Sequence, residues 1–249
     1  EIAQCLVGSE MCIRDRSYFR LNAKGAGQFE HTLIIVEDDA DLHFIEGCSA
    51  PKYNVANLHA GAVELFVGKR AKLRYSTIEN WSKNMYNLNT KRAIVDEGGA
   101  IEWVSGSFGS HVGYLYPMSI LSGKKSSCTF TGITFAGAGQ NLDTGCKVVL
   151  NAPDTSAAIE TKSISKGGGI STFRSSVVAT KKAEGSAASV SCQSLMLDDM
   201  SRSDTIPTMD IRCKNVDIGH EATIGRIGDD KVFYLMSRGI SEELSLIHI

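Results

Sequence analysis

GKRAKLRY, residues 68–75, opens on a turn and then alternates, with Leu73 and Tyr75 on one side and Lys72 and Arg74 on the other. Alternation at period two marks a strand with one buried face. The unit recurs as DDADLHF (38–44), EGGAIEW (97–103), KKSSCTF (124–130), TSAAIET (155–161) and GSAASVSC (185–192). Aligned on the first inward position, Leu42, Leu73, Ile101, Cys128, Ile159 and Val190 follow one another at steps of 31, 28, 27, 31 and 31. Two residues later stand Phe44, Tyr75, Trp103, Phe130, Thr161 and Cys192. A second apolar run precedes most turns: LIIV (33–36), VELFV (63–67), AIV (93–95), VVL (148–150) and SVVA (176–179). Two or more strands per repeat of about thirty residues stack as rungs rather than close as hairpins. The fold expected is mainly β, a parallel β-helix-like solenoid. A β-sandwich is the runner-up, because it too has short strands at even spacing.

Composition agrees. The chain of 249 residues has 43% hydrophobic and 22% charged residues, with 24 Gly against 4 Pro. That is globular composition, and glycine turns between strands fit it better than a helical bundle does. No window is apolar enough for a membrane helix, so no membrane is expected. A formal charge of −2 leaves no basic excess for nucleic acid, and none is expected as a partner. Seven cysteines, odd in number, widely spaced and without a CxxC pair, argue against a disulfide framework and a structural zinc site. With no secretory signal in view, reduced thiols and a cytoplasmic location are expected.

Residues 1–16 (EIAQCLVGSEMCIRDR) and 245–249 (SLIHI) do not continue these patterns and are expected to be non-native extensions, so Cys5, Cys12 and His248 are discounted. Between them lie an expected β-helix core over 17–228 and a short C-terminal helical segment over 229–244, the start of a region cut off here. Ser241, Glu242 and Glu243 read as a fresh helix start after Gly239.

Stacking makes certain separations informative. Arg20 and Cys48 are 28 residues apart, as are Cys192 and His220, and both match one rung. A guanidinium beside Cys48 would favour the reactive thiolate. An imidazole beside Cys192 could serve as base or second metal ligand, with the carboxylate of Glu221 next in sequence. The competing reading is that inward cysteines are small buried hydrophobes, and it holds for Cys128 and Cys146. Cys213 is open to either.

The pairs Asp38–Asp39, Asp198–Asp199 and Asp229–Asp230 resemble stacked calcium ligands of a polysaccharide lyase, but each lies at a predicted turn, where Asp bonds its own backbone. Gly167–Gly169 lacks the frame of a phosphate loop, and His31, His43, His59 and His111 show no zinc spacing.

The segments IEGCSAP (45–51) and GHEATIGRIGDDKVFYLMSRGISEE (219–243), with YFRLN (18–22), TKRAIV (90–95), DTGCKVVL (143–150) and SRSDTIP (201–207), resemble the SufB/SufD family of iron–sulfur cluster assembly scaffolds, nearer SufB. The resemblance covers about residues 17–244. It implies a right-handed parallel β-helix core and a non-enzymatic scaffold in a SufBCD complex. The implied partners are the ATPase SufC, SufD or a second SufB, and a cysteine desulfurase with its sulfur shuttle (SufS/SufE or SufU type). It also implies a persulfide-accepting Cys48 with Arg20 and Asn22 nearby. A transient iron–sulfur cluster is implied at Cys192, His220 and Glu221, with sulfur passing along the interior between the two cysteines. No ATP is expected on this chain, and reduced flavin is left open. The family commonly has Glu where Gly219 stands, which removes one candidate ligand. Two alternatives remain at this point: a carbohydrate-active β-helix enzyme, and a SufD-like structural partner without its own cluster site.

Overall fold

The alternating segments form fifteen strands in a computed structural model that describes residues 12–226 and 228–241. In chain order they are β1 (Cys12–Arg20), β2 (Gly27–Val36), β3 (Asp41–Ser49), β4 (Asn57–Val67), β5 (Lys72–Asn80), β6 (Met85–Val95), β7 (Ala100–Ser107) and β8 (Val112–Leu121). There follow β9 (Ser127–Ala136), β10 (Asn141–Leu150), β11 (Ser156–Ser165), β12 (Ile170–Ala179), β13 (Ser186–Met196), β14 (Arg202–Ile211) and β15 (Val216–Arg226). Odd strands pair in parallel as one eight-stranded sheet, and even strands as a seven-stranded sheet. Each strand bonds the strand two later, so the chain winds as the expected parallel β-solenoid of about seven turns. A single short helix, α1 (Asp229–Ser237), follows among the described residues.

Register corrects the alignment in its last repeats. Leu42, Leu73, Ile101 and Cys128 stack as expected, but the next in line are Ala157 and Ala188. Ile159 and Val190 instead continue the column of Phe44, Tyr75, Trp103 and Phe130, which ends on His220. The slip is two residues, so every side chain keeps its face. These two columns and the valines and leucines of the even sheet form the main core.

The corners that lead from an even to an odd strand repeat one geometry. Asp39, Arg70, Gly98, Lys125, Asp154 and Gly185 all have positive φ, each two positions before the same register row. Each donates its N–H to a carbonyl of the next rung, so the ladder runs on through the turns. Charge alternates down this corner, and Arg70 grips Asp39 at 2.6 Å. Gly123 lies in it where a Cβ would meet the Glu97 nitrogen at 1.9 Å.

β1 begins at Cys12, so residues 12–16, set apart by the sequence reading, pair with β3 from Asp41 onward. Helix α1 spans Asp229–Ser237 and is followed by Gly239 in the left-handed conformation. Gly239 and Ile240 donate to Met236 and Leu235, a Schellman closure. Residues 1–11 and 242–249, with Cys5, Glu242, Glu243 and His248, lie outside the described residues.

Candidate functional site

The interior is divided lengthwise. Beside the apolar columns, the odd sheet turns two polar columns inward. One runs Cys48, Glu79, Ser107, Thr134, Ser163, Ser194. The other runs Glu46, Thr77, Ser105, Gly132, Thr161, Cys192. All of these side chains are buried. Thus Cys48 starts one column and Cys192 ends its neighbour, five strand steps or roughly 24 Å along the axis. The file is hydrogen-bonded where its hydroxyls meet, as between Ser163 and Ser194 at 2.8 Å. A small cavity of about 10 Å³, bordered by Glu79, Asn87, Ser107 and Thr144, opens beside it and is the size of one water. The first two inward positions of each repeat are the apolar ones; the file is marked in the sequence by alternation that continues for two further inward positions with Ser, Thr and Glu in place of apolar residues.

At the first end, Cys48 packs with Leu21, Trp81 and Met85, a cluster separate from the main core. Its pKa moves opposite to expectation: burial pushes the thiol far up, and the carboxylates of Glu46 and Glu79 push it further. Arg20 does not offset this. It pairs with Ser49, not Cys48, because the rung is 29 residues here; the odd difference turns Arg20 outward. There its Nε donates to Asn22 Oδ1 at 2.9 Å. Arg20 and Asn22 are thus together at the surface while Cys48 faces the bore.

The cation near Cys48 is instead Lys91, fully buried. Its Nζ donates to Glu46 and to Thr77 Oγ1, and lies 4.6 Å from the centre of the Tyr75 ring. Burial alone would raise Glu46, but Lys91 and the hydroxyls of Thr77 and Tyr75 hold it below the usual carboxylate range. Glu79 shifts the other way, raised by burial and by the charge of Glu46, while accepting from Asn87 and Asn89 at 2.8 and 2.7 Å. His59, wholly buried, bridges Asn87 and Glu30 and packs against Trp81 at 4.6 Å between ring centres. Trp81 Nε1 and Ser82 Oγ, both buried, have no hydrogen-bond partner. Two free donors therefore sit in the turn that covers Cys48.

At the far end, Cys192 Sγ lies 4.0 Å from His220 Nε2. The rung is 30 residues here (Cys192 pairs with Ala222, Val190 with His220), so the two stay on one face as diagonal neighbours. A tetrahedral metal bonded at roughly 2.3 Å to sulfur and 2.0 Å to nitrogen would hold them about 3.5 Å apart, close to the distance found. Burial pushes the Cys192 thiol up to about 11. Glu221 does not join them: it pairs with Ser191 at the opposite parity and is exposed on the outer face. Among the described residues no group of three or more His, Cys, Asp or Glu is arranged to hold a metal ion. His220 lies on β15, the edge strand of the odd sheet among the described residues, and Cys192 on the strand beside it.

The remaining candidates have structural work. Asp38 accepts from the Lys69 nitrogen at 2.7 Å, and Asp198 caps its turn through Gly167, Met200 and Ser201. Gly167 and Gly168 take positive φ in a corner. Cys128 and Cys146 are buried in the main core, Cys213 is partly buried against it, and Cys48, Cys128, Cys146, Cys192 and Cys213 are free thiols. An outer groove of about 690 Å³ is rimmed by Glu37, Asp38 and Asp96. No described helix is long and apolar enough to cross a membrane.

Residues 19–246 match the family described as SUF system FeS cluster assembly, SufBD core domain. The chain is 45% identical over 228 residues to the iron–sulfur cluster assembly protein SufB of Bacillus subtilis, covering 92% of this chain and 49% of that protein. It is equally similar to SufBD family proteins of Staphylococcus saprophyticus, over 49% of the relative, and of Mycobacterium leprae, over 26%. The chain thus spans about half the length, or less, of these curated relatives.

Proposed function

Because the chain belongs to the SufBD family of iron–sulfur cluster assembly proteins, we propose that it is a scaffold that takes sulfur onto Cys48 and delivers it through the polar half of the bore to Cys192. The observation that carries this reading is the file of buried hydroxyls and carboxylates that runs between two thiols near opposite ends of the solenoid. A stack of identical rungs needs no such file for stability, since each buried polar group costs free energy unless it is bonded.

Cys48 attacks the sulfane sulfur of a donor persulfide. A sulfur–sulfur bond forms on Cys48, the donor's own sulfur–sulfur bond breaks, and the donor leaves as a thiolate. The Cys48 proton passes to Glu79, the carboxylate on the next rung whose raised pKa suits it to accept one. The unpartnered N–H of Trp81 and hydroxyl of Ser82 are the nearby donors available to the charged terminal sulfur. Release as hydrosulfide takes two electrons, supplied by a dithiol that becomes a disulfide, and the hydroxyl file then solvates the ion on its way.

At the β15 end Cys192 and His220 supply one soft and one borderline ligand to incoming iron, the cargo of the scaffold. Two ligands make a weak cage, which suits a cluster that must be handed on. The rest of the set comes from a partner, SufD or a second copy of the chain. A desulfurase and its shuttle supply sulfur, and ATP hydrolysis belongs to SufC, so the chain itself is not an enzyme. Support for a carbohydrate-active alternative falls away, because Asp38 and Asp198 are engaged in turns.

Anaerobic reconstitution with iron and a persulfide donor, in complex with partners, tests the reading. Cys192→Ser is expected to fold normally and form no cluster, seen as absent sulfur-to-iron charge-transfer absorbance. Cys48→Ala is expected to retain no bound sulfane sulfur. Near-normal cluster formation by Cys192→Ser would refute the assignment.

A further inference from the structure

The outside of the odd sheet carries an apolar stripe bordered by cations of one sign. Tyr18 pairs with Gly47 and lays its ring over it, so that a Cβ there would meet the ring at 2.8 Å. Ile78 follows on the next rung; Phe108 covers Gly106 in the same way, and Ile133 comes after it. Phe135 and Ile164 continue alongside. These six side chains are 37–65% exposed on successive rungs, which makes a continuous patch rather than scattered surface residues.

The stripe lies along the corners that lead from odd to even strands. The six turns that follow the strands bearing the stripe, residues 21–26, 50–56, 81–84, 108–111, 137–140 and 166–169, contain Lys24, Lys52, Lys83 and Lys166 and no Asp or Glu; the seventh turn of this corner, 197–201, one rung past Ile164, carries Asp198 and Asp199 and ends the cationic row. All four lysines are exposed, and Arg20 adds a fifth cation at the same end. The opposite corner is different in kind: there acidic and basic turns alternate and pair, as in Arg70–Asp39 and Lys124–Asp154. Apolar side chains are exposed on the even sheet too, but the corner that leaves it has no net sign to say what would cover them.

From this charge pattern we infer that the stripe and its lysine row form a docking face for a protein whose apolar patch is rimmed by carboxylates. The inference rests on the sulfur-accepting role of Cys48 and names the partner as the protein that delivers that sulfur. Tyr18 lies over Gly47, and its hydroxyl meets Ser49 Oγ at 2.6 Å, so the two residues flanking Cys48 form part of the docking face. A partner seated here covers the turn 50–56, the stretch of chain that follows Cys48.

The test uses the chain with a cysteine desulfurase and shuttle fed L-cysteine, and separately with inorganic polysulfide, which needs no docking. Lys52→Glu with Lys83→Glu, and separately Ile78→Ser with Ile133→Ser, alter exposed side chains only; thermal melting confirms that each variant folds. Both pairs are expected to slow donor-dependent loading of Cys48 about tenfold, while loading by polysulfide stays at the wild-type rate. Raising salt should weaken shuttle binding to the wild type and have little effect on the lysine variant. Cys48→Ala should still bind the shuttle in calorimetry, so lost binding reports the face and lost sulfur reports the thiol. Unchanged donor-dependent loading and shuttle binding in both variants would overturn the inference. So would variants that lose affinity only for anionic vesicles or for RNA. Failure of polysulfide to load wild-type Cys48, with shuttle binding still sensitive to the lysines, would instead count against the sulfur-accepting role and support the face.

Discussion

Lys91 and Glu46 form a buried ion pair at the mouth of the polar file. Removing one partner strands a charge, so Lys91→Met should cost about 3–5 kcal/mol, and the double variant with Glu46→Gln should recover most of it; chemical denaturation of both reads this directly. The thiols make a second prediction. Cys48, Cys128, Cys146 and Cys192 all have raised pKa values, each chiefly through burial. A thiol whose folded pKa is raised binds its proton more tightly in the folded state. Its contribution is therefore intact below the unfolded pKa of about 8.5 and is lost as pH rises above it. Melting temperature should fall from about pH 8.5 upward, and Cys146→Ala should remove about 1.4 kcal/mol per pH unit from that slope. These shifts were beyond a reading that placed Arg20 beside Cys48, because one residue of register decides which face a side chain takes.

Elements here are set by their corners as much as by their strands. Lys125 holds a left-handed conformation that glycine adopts without strain. Lys125→Gly should therefore stabilise by about 1 kcal/mol. Gly123→Ala, two residues earlier, should destabilise by about 3 kcal/mol, because its Cβ has no space against the next rung. Thermal melts of the two variants should move in opposite directions. The turn residues Gly, Asp and Lys were visible in the repeat, as was the alternation after them. The stacked positive-φ positions were not, since a Lys or Arg at such a site carries no compositional sign of its backbone.

Across the whole molecule, half the bore is apolar and half polar. Thr134, midway down the file, is buried on the odd sheet. Thr134→Val keeps the shape and removes the hydroxyl. It should leave stability equal or slightly higher while slowing cluster formation at Cys192 several-fold. Sulfane sulfur on Cys48 should be unaffected. Paired measurement of melting temperature and of sulfur retained at each cysteine distinguishes transport from structure. An unchanged rate of cluster formation would mean that sulfur reaches Cys192 by another route.

The repeat of a turn and an alternating strand determined, from the sequence by itself, that this chain stacks rungs, and motifs such as IEGCSAP pointed to the family. Face assignment survived the slip at Ile159 and Val190 because that error was even. It also kept Cys192 and His220 together, two residues off the predicted pairing. It failed for Arg20, where the error was one residue, and for Glu221, whose place next to His220 in sequence puts it across the sheet. Only the tertiary structure could bring Lys91 of the even sheet onto Glu46 of the odd one. Period two specifies which way a side chain points, and the packing of two sheets specifies what it meets.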